Sequence, residues 1–371
     1  MTTVHLVYPH GPRIACPDAI GRELAERLRA RYAVRLYEWD EPRAIRPGPD
    51  DILLGHPHPA PWTCFRMSMG RPGWRKVIVL APYHHGDLEQ VAFLDPIVAR
   101  ADRFLAITGN YWAATLARSP FAHWLPKLTH LDLAVDREDF PPAKAAFAPP
   151  GRRRFVYIGH SGWTKNTPYL SAIAARMPEA EIAWIGAGRA PIPGLRPLGF
   201  QDFRREEARS LVAGYDFMIT VGRADANPTT VLEAMAWGLI PVCTPQSGYI
   251  GYEGIVNLPL DRPEAAVARL RWLQMLPDAT LRRLQRANWE LLDAHFTWDR
   301  FAAQVVAAIE EPARPAAGRA PLARRARLRW ASLTSPYSPL RPGGLRAGLA
   351  GPLRRARRAL RGRGLWPARA R

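Results

Sequence analysis

Two carboxylates stand eight positions apart within residues 220–244: Asp225 in a polar loop, and Glu233 in the apolar segment that follows. A carboxylate accepts two hydrogen bonds from vicinal hydroxyls, which is what a ribose or a sugar ring offers. The loop follows an apolar run and opens a helix that Thr229 or Thr230 can cap. The N–H groups and positive dipole end of that first turn suit an anionic phosphate. On the residues alone, a capping acid plus a structural helix glutamate explains the pattern equally well.

A second element, GHSGWTK at residues 159–165, puts Lys165 after another apolar run. It is not a phosphate-binding P-loop, because Thr164 stands where glycine must precede the lysine. Gly186 and Gly188 open like a dinucleotide fingerprint, but Pro191 occupies the third glycine position, so a nicotinamide enzyme is not expected. In the N-terminal half, His56 and His58 follow the apolar run 51–54, and His84, His85 and Asp87 follow the run 76–80. At the carboxyl ends of strands such histidines reach a cleft; solvated loop histidines are the competing reading. No helical histidine spacing supports a metal site from this set. Gly11, after the first strand, lets the backbone approach a ligand closely, or simply makes a turn.

These residues need elements to hold them. At 371 residues and 47% hydrophobic, the chain has material for two packed domains. Short apolar strands at 4–8, 33–37, 51–54, 76–80 and 103–107 alternate with helical stretches, the first carrying Ile20, Leu24 and Leu28 on one face. After a Pro- and Ala-rich stretch the alternation restarts, with strands at 155–158, 181–185, 217–220 and 240–244 and helices at 168–176, 206–213 and 230–237. Helices at 263–275, 279–295 and 298–310 follow, the last amphipathic through Phe301, Val305 and Ile309. The expected fold class is α/β: two doubly wound parallel sheets facing a cleft, with ligands outside the carboxyl ends of the strands. The boundaries read as an N-terminal domain at 1–140, a linker at 141–151, a C-terminal domain at 152–297, a closing helix at 298–311 and an Arg-rich tail at 312–371.

The stretch from Asp225 resembles the family 4 (group 1) glycosyltransferases of the GT-B fold. Their signature is an acid, seven residues, a glutamate, then AMAxGxPV; here it stands as Asp225, Glu233 and AMAWGLIPV at 234–242. The family usually has Glu first, and Ile240 adds one residue before Pro241. Three more segments fall in the family's order: LAVD at 133–136 with Phe140 and Pro141, IGHSGWTK at 158–165, and Phe296 with Trp298. The resemblance implies a Rossmann-like acceptor domain followed by a nucleotide-sugar donor domain, and retaining, metal-independent transfer to a glycan or glycolipid of the cell envelope. It implies Lys165 on the donor diphosphate, Glu233 on the ribose and Asp225 on the donor sugar. Asn227, Thr229, Thr230 and Val231 would surround the phosphates, and His84 or His85 would meet the donor from the N-terminal side. No cofactor is implied beyond the nucleotide-sugar co-substrate. His160 stands where the family has arginine, with Arg223 in an adjacent loop. Those departures keep open an alternative: a degenerate GT-B protein that binds a nucleotide-sugar or a glycan without turnover.

The net charge of +19 divides unevenly. From Pro312 onward there are 16 arginines and no acid, so the first 311 residues carry only +3. Leu322, Ala326, Trp330 and Leu333 follow helical spacing among those arginines, a pattern suited to an anionic membrane surface. A solvated, disordered extension and nucleic-acid binding are the other readings, the last disfavoured because no nucleic-acid fold accompanies the arginines. Three scattered cysteines suggest a reducing setting; with no signal-peptide pattern and no membrane-length apolar run, a cytoplasmic protein is expected, peripheral at the membrane if the tail attaches.

Overall fold

A computed structural model describes residues 2–11, 16–188, 190–312 and 321–335. The first domain holds β1 (Thr3–Val7), α1 (Cys16–Leu28), β2 (Ala33–Tyr37), β3 (Ile52–Gly55), α2 (Cys64–Ser68) and β4 (Lys76–Pro82). It continues through α3 (Leu88–Val91), α4 (Asp95–Arg100), β5 (Arg103–Ile107), α5 (Gly109–Thr115) and β6 (Leu128–Leu131). The second begins with β7 (Phe155–Ile158), α6 (Thr167–Ala174), β8 (Ile182–Ile185), β9 (Arg196–Pro197), α7 (Glu206–Ala213) and β10 (Phe217–Thr220). It ends with α8 (Thr229–Trp237), β11 (Ile240–Cys243), β12 (Val256–Asn257), α9 (Pro263–Gln274) and α10 (Asp278–His295), after which come α11 (Trp298–Glu310) and α12 (Leu322–Thr334).

Both sheets have six strands, all parallel, in the orders β2-β1-β3-β4-β5-β6 and β12-β11-β10-β7-β8-β9. Helices cover both faces, so central strands such as β4 (KVIVLAP) are buried along nearly their whole length, as parallel sheets require. The strand order reverses between β1 and β3 in the first sheet and between β7 and β10 in the second. Those reversals are the topological switch points where open α/β sheets bind ligands.

The domains share one apolar core, which runs from Leu6 and Leu54 through Leu131, Leu133 and Val135 to Met235, Phe296 and Ile309. The linker is riveted to the second domain: the Ala143 and Lys144 N–H groups both donate to the Trp237 carbonyl, and the buried Lys144 ammonium lies 2.8 Å from Asp216. Helix α11 returns to the first domain and packs on α1, β4 and β5. Lys76 Nζ donates to the carbonyls of Ala308 (3.0 Å), Ile309 (2.7 Å) and Glu311, placing a cation at the helix C-terminus where the dipole favours one.

Part of the tail is helical, over the stretch whose apolar residues follow helical spacing. Helix α12 packs on α3 and the turn at Ala92–Leu94, burying Leu328 and Ala331. The remainder of the tail, 313–320 and 336–371, lies outside the described residues. Among the described residues, no helix is long and apolar enough to cross a membrane.

Candidate active site

The carboxyl ends of the two sheets face each other. Gly86, past β4, lies so close to the Arg223 carbonyl that a Cβ there would sit 2.8 Å from that oxygen. Trp112 Nε1 donates to the Asp225 carbonyl at 2.9 Å, and the Ile250 N–H donates to Asn110 Oδ1 at 2.9 Å. Gly109, at φ +65°, sits against Gly248, where a side chain would collide with the Gly248 carbonyl at 2.4 Å. These contacts close one edge of the cleft.

Lys165 and Asp225 meet across the second switch point. Lys165 ends the short turn Trp163–Lys165 after β7, and Asp225 lies in the loop after β10, the neighbouring strand. The lysine ammonium pairs directly with Asp225 Oδ2, both side chains being about one-sixth exposed (16% and 15%). Glu233 sits partly buried one turn into α8. Burial pushes its carboxyl up to about 7, and the Thr229 hydroxyl and the Lys165 charge pull it back. Helix α8 opens behind Pro228 with no side-chain cap, an arrangement that leaves first-turn N–H groups to meet an anion. Its far end is fixed by Gly238 at φ +91°, whose N–H closes on Met235.

Other residues singled out from sequence are placed differently. Asn227 is fully buried at φ +62°, and its Oδ1 accepts from the Leu133 N–H at 2.6 Å. Its side chain ties the loop after β10 to the segment after β6. Val231 is a core residue, while Thr229 and Thr230 stay partly exposed at the helix mouth. Arg223 is held against the residues that flank Lys165: its guanidinium binds Asn166 Oδ1, lies 3.7 Å from Asp261 and stacks over Trp163 at 5.3 Å. His160 is exposed, and its Nδ1 accepts from the Gly162 N–H at 2.9 Å. Partial burial of the ring and the nearby Lys165 charge hold that imidazole below its usual pKa, against the opposing Asp225 charge. The Gly11 carbonyl accepts from Arg22 at 3.3 Å, and residues 12–15 beyond it lie outside the described residues.

The two adjacent histidines are not equivalent. His85 has both ring nitrogens engaged, with Tyr83 Oη and Thr115 Oγ1 each at 3.1 Å, and burial lowers its pKa to about 4. His84 keeps a buried Nδ1 with no partner among the described residues. Burial lowers its pKa too, opposed by the Asp225 and Asp87 charges, so of the pair it is the one electrostatically coupled to Asp225.

Two features were not singled out from sequence as donor-site residues. Cys16 starts α1, and its thiol is pushed up to about 12 by burial and by the Glu233 and Asp225 carboxylates. The other is an aromatic cluster at the first switch point. Trp39, just past β2, lies 4.7 Å from His56 and 5.2 Å from His58 by ring centroids, with Tyr8 edge-on to His56 at 5.8 Å. Only the strand-end position of the two histidines signalled it. Beside the Lys165 turn, a groove of about 730 Å³ opens between the loops after β7 and β8, lined by Ser161, Gly162, Pro168, Gly188 and Pro191. Among the described residues, no group of three or more His, Cys, Asp or Glu side chains converges as a metal site.

No protein-family model matches the sequence, and no curated protein does. Solved structures do. A glycosyltransferase from Rickettsia africae ESF-5 matches at TM-score 0.58 and 10% identity, over 83% of this chain and 97% of that one. Sucrose-phosphate synthase from Thermosynechococcus elongatus matches at TM-score 0.56 and 16% identity, over 83% and 98%. Anabaena HepE, solved with UDP and glucose, matches at TM-score 0.56 and 11% identity, over 84% and 100%. At such identities the likeness establishes architecture, and with two facing six-stranded parallel sheets the chain has the GT-B fold.

Proposed function

We propose that the chain is a glycosyltransferase that moves a sugar from a nucleotide-sugar to a glycan or glycolipid acceptor, with retention at the anomeric carbon and without a metal. One observation carries the reading: Lys165 and Asp225 pair across the second switch point, with Glu233 one turn inside the helix that opens there. The bond from the anomeric carbon to the diphosphate oxygen breaks as the acceptor oxygen bonds to the same face, and the acceptor's hydroxyl proton passes to the departing diphosphate oxygen. The electron pair goes to the diphosphate, whose growing charge meets the Lys165 ammonium and the first turn of α8. Glu233 accepts from the ribose hydroxyls, Asp225 from the donor sugar, and the groove beside Lys165 takes the nucleoside. The partly exposed rings of Trp39 and His58, packed around the buried His56, offer flat apolar faces to an acceptor ring.

A thermal-shift series against UDP-, GDP- and ADP-sugars tests the donor half, since a ligand that binds only the folded state raises its melting temperature. At least one should do so; no shift with any of them overturns the reading. A second reading, binding without turnover, is favoured by His160, a neutral imidazole where a permanent cation would better stabilise the leaving group. Donor-induced stabilisation with no detectable transfer or donor hydrolysis would select it.

A further inference from the structure

Helix α12 carries two apolar strips, and among the described residues only one is covered. Leu328 and Ala331 are buried on α3 and the turn at Ala92–Leu94 (1% and 3% exposed). Leu322, Ala326, Trp330 and Leu333 recur at i, i+4, i+8 and i+11, which puts them on one helix face. That face points away from the protein, with Leu322 81%, Trp330 69% and Leu333 48% exposed. Arg325 and Arg329 flank the ridge on one side and Arg327 on the other, all exposed. A soluble helix docked on its own domain needs one apolar stripe and a polar outer face. Here the outer face has a Trp/Leu ridge between cations.

We propose that this outer face of α12 lies in the interface of an anionic lipid bilayer. The ridge would sink to the headgroup boundary, while the arginines on either side stay at headgroup level and meet lipid phosphates. Charge complementarity selects this occupant: residues 312–371 contain no acid to neutralise the arginines. Nucleic acid would use the same cations but has no use for a leucine ridge. Because α12 is docked on the helix that begins at Leu88, just past His84, it would fix the first domain against the membrane. The inference stands on α12 alone and does not depend on the sugar-transfer reading.

Flotation of the full chain with phosphatidylcholine vesicles, with and without phosphatidylglycerol, tests it. The wild type should float with the anionic vesicles and only weakly with the neutral ones. The double variant Trp330→Ala, Leu333→Ala should lower the partition coefficient roughly tenfold or more, since each side chain removes an inserted apolar surface. Arg325→Glu with Arg329→Glu should markedly weaken the preference for phosphatidylglycerol. All four sites are exposed, so unchanged melting curves will show that the variants fold. Three results would overturn the proposal. One is a wild type that does not float. Another is a double variant that floats like the wild type, leaving attraction to the tail arginines alone. The third is a vesicle-free dimer that the double variant converts to monomer, which would make the ridge a contact between copies.

Discussion

The two switch points of the molecule are built from opposite materials. The second gathers formal charge: Lys165 on Asp225, with Glu233 held near neutrality by burial. The first gathers rings: Trp39, His56, His58 and Tyr8, in which burial and the His58 charge push the His56 pKa down to about 3 and so keep it uncharged. In the proposed donor role a diphosphate and a ribose would meet a cation and a carboxylate at fixed separation, and the charged cluster is compact, on loops after two adjacent strands. An acceptor ring needs flat apolar faces and shape, which residues from three strand ends can supply together. If the division is right, substitutions in the two sites should damage different kinetic constants.

The largest effect should come from Lys165→Ala. Removing the cation that faces the leaving diphosphate should lower kcat on the order of 10²–10³-fold while leaving the acceptor KM nearly unchanged. Steady-state kinetics with donor and acceptor varied separately will read this, and an equal loss in both constants would erase the proposed division. Glu233→Gln comes next. A hydrogen bond to a charged group contributes about 1.5–3 kcal/mol, so donor affinity should weaken roughly ten- to hundredfold by calorimetry. Unchanged donor affinity would remove Glu233 from the ribose.

Legibility in the sequence followed the same division. The charged cluster could be picked out because Asp225 and Glu233 share one loop and helix and Lys165 follows a clear strand, although that spacing alone fits a capping acid and a structural glutamate equally well and only the family resemblance gave the three residues roles. The ring site could not, because Trp39 meets His56 only through the pairing of β2 and β3 with β1. The strands followed burial: those at sheet centres, such as β4 and β10, are continuous apolar runs. Strands β6, β9 and β12, not expected from sequence, are all at sheet edges, and β9 and β12 have only two residues each. Asn227 was expected near phosphate because it lies in the signature loop, and its left-handed backbone and bond to Leu133 could not be read from spacing. In the tail, the face expected to be apolar is the exposed face of α12, and its buried strip is the pair Leu328 and Ala331.

A smaller effect should separate the two sites from the other side. Trp39→Ala removes one stacking face, which contributes about 0.5–1.5 kcal/mol, so acceptor KM should rise roughly three- to tenfold. Donor affinity and donor hydrolysis should stay unchanged, because Trp39 lies across the cleft from Lys165 and Glu233. A fall in donor affinity in this variant would merge the two sites into one.

The last effect is read in stability, not in activity, and tests the charge of Glu233 without any ligand. Its carboxyl is raised from 4.5 to about 7, so the folded chain holds that proton more tightly than the unfolded chain does. The resulting stability is fully present below about pH 4.5 and is lost as pH rises through about 7. A glutamine at this position never ionises, so Glu233→Gln should match the wild type at low pH and exceed it at pH 8. A shift of that size sets a ceiling of about 3 kcal/mol, and partial exposure brings the expected gain to about 1–2 kcal/mol, or a few degrees in Tm. Melting curves at pH 5 and pH 8 will show it. A variant less stable than the wild type at pH 8 would mean that the carboxylate is already satisfied in the free protein. A gain at pH 8 together with lost donor binding would show a buried charge that destabilises the empty site and that only the ligand's hydroxyls compensate.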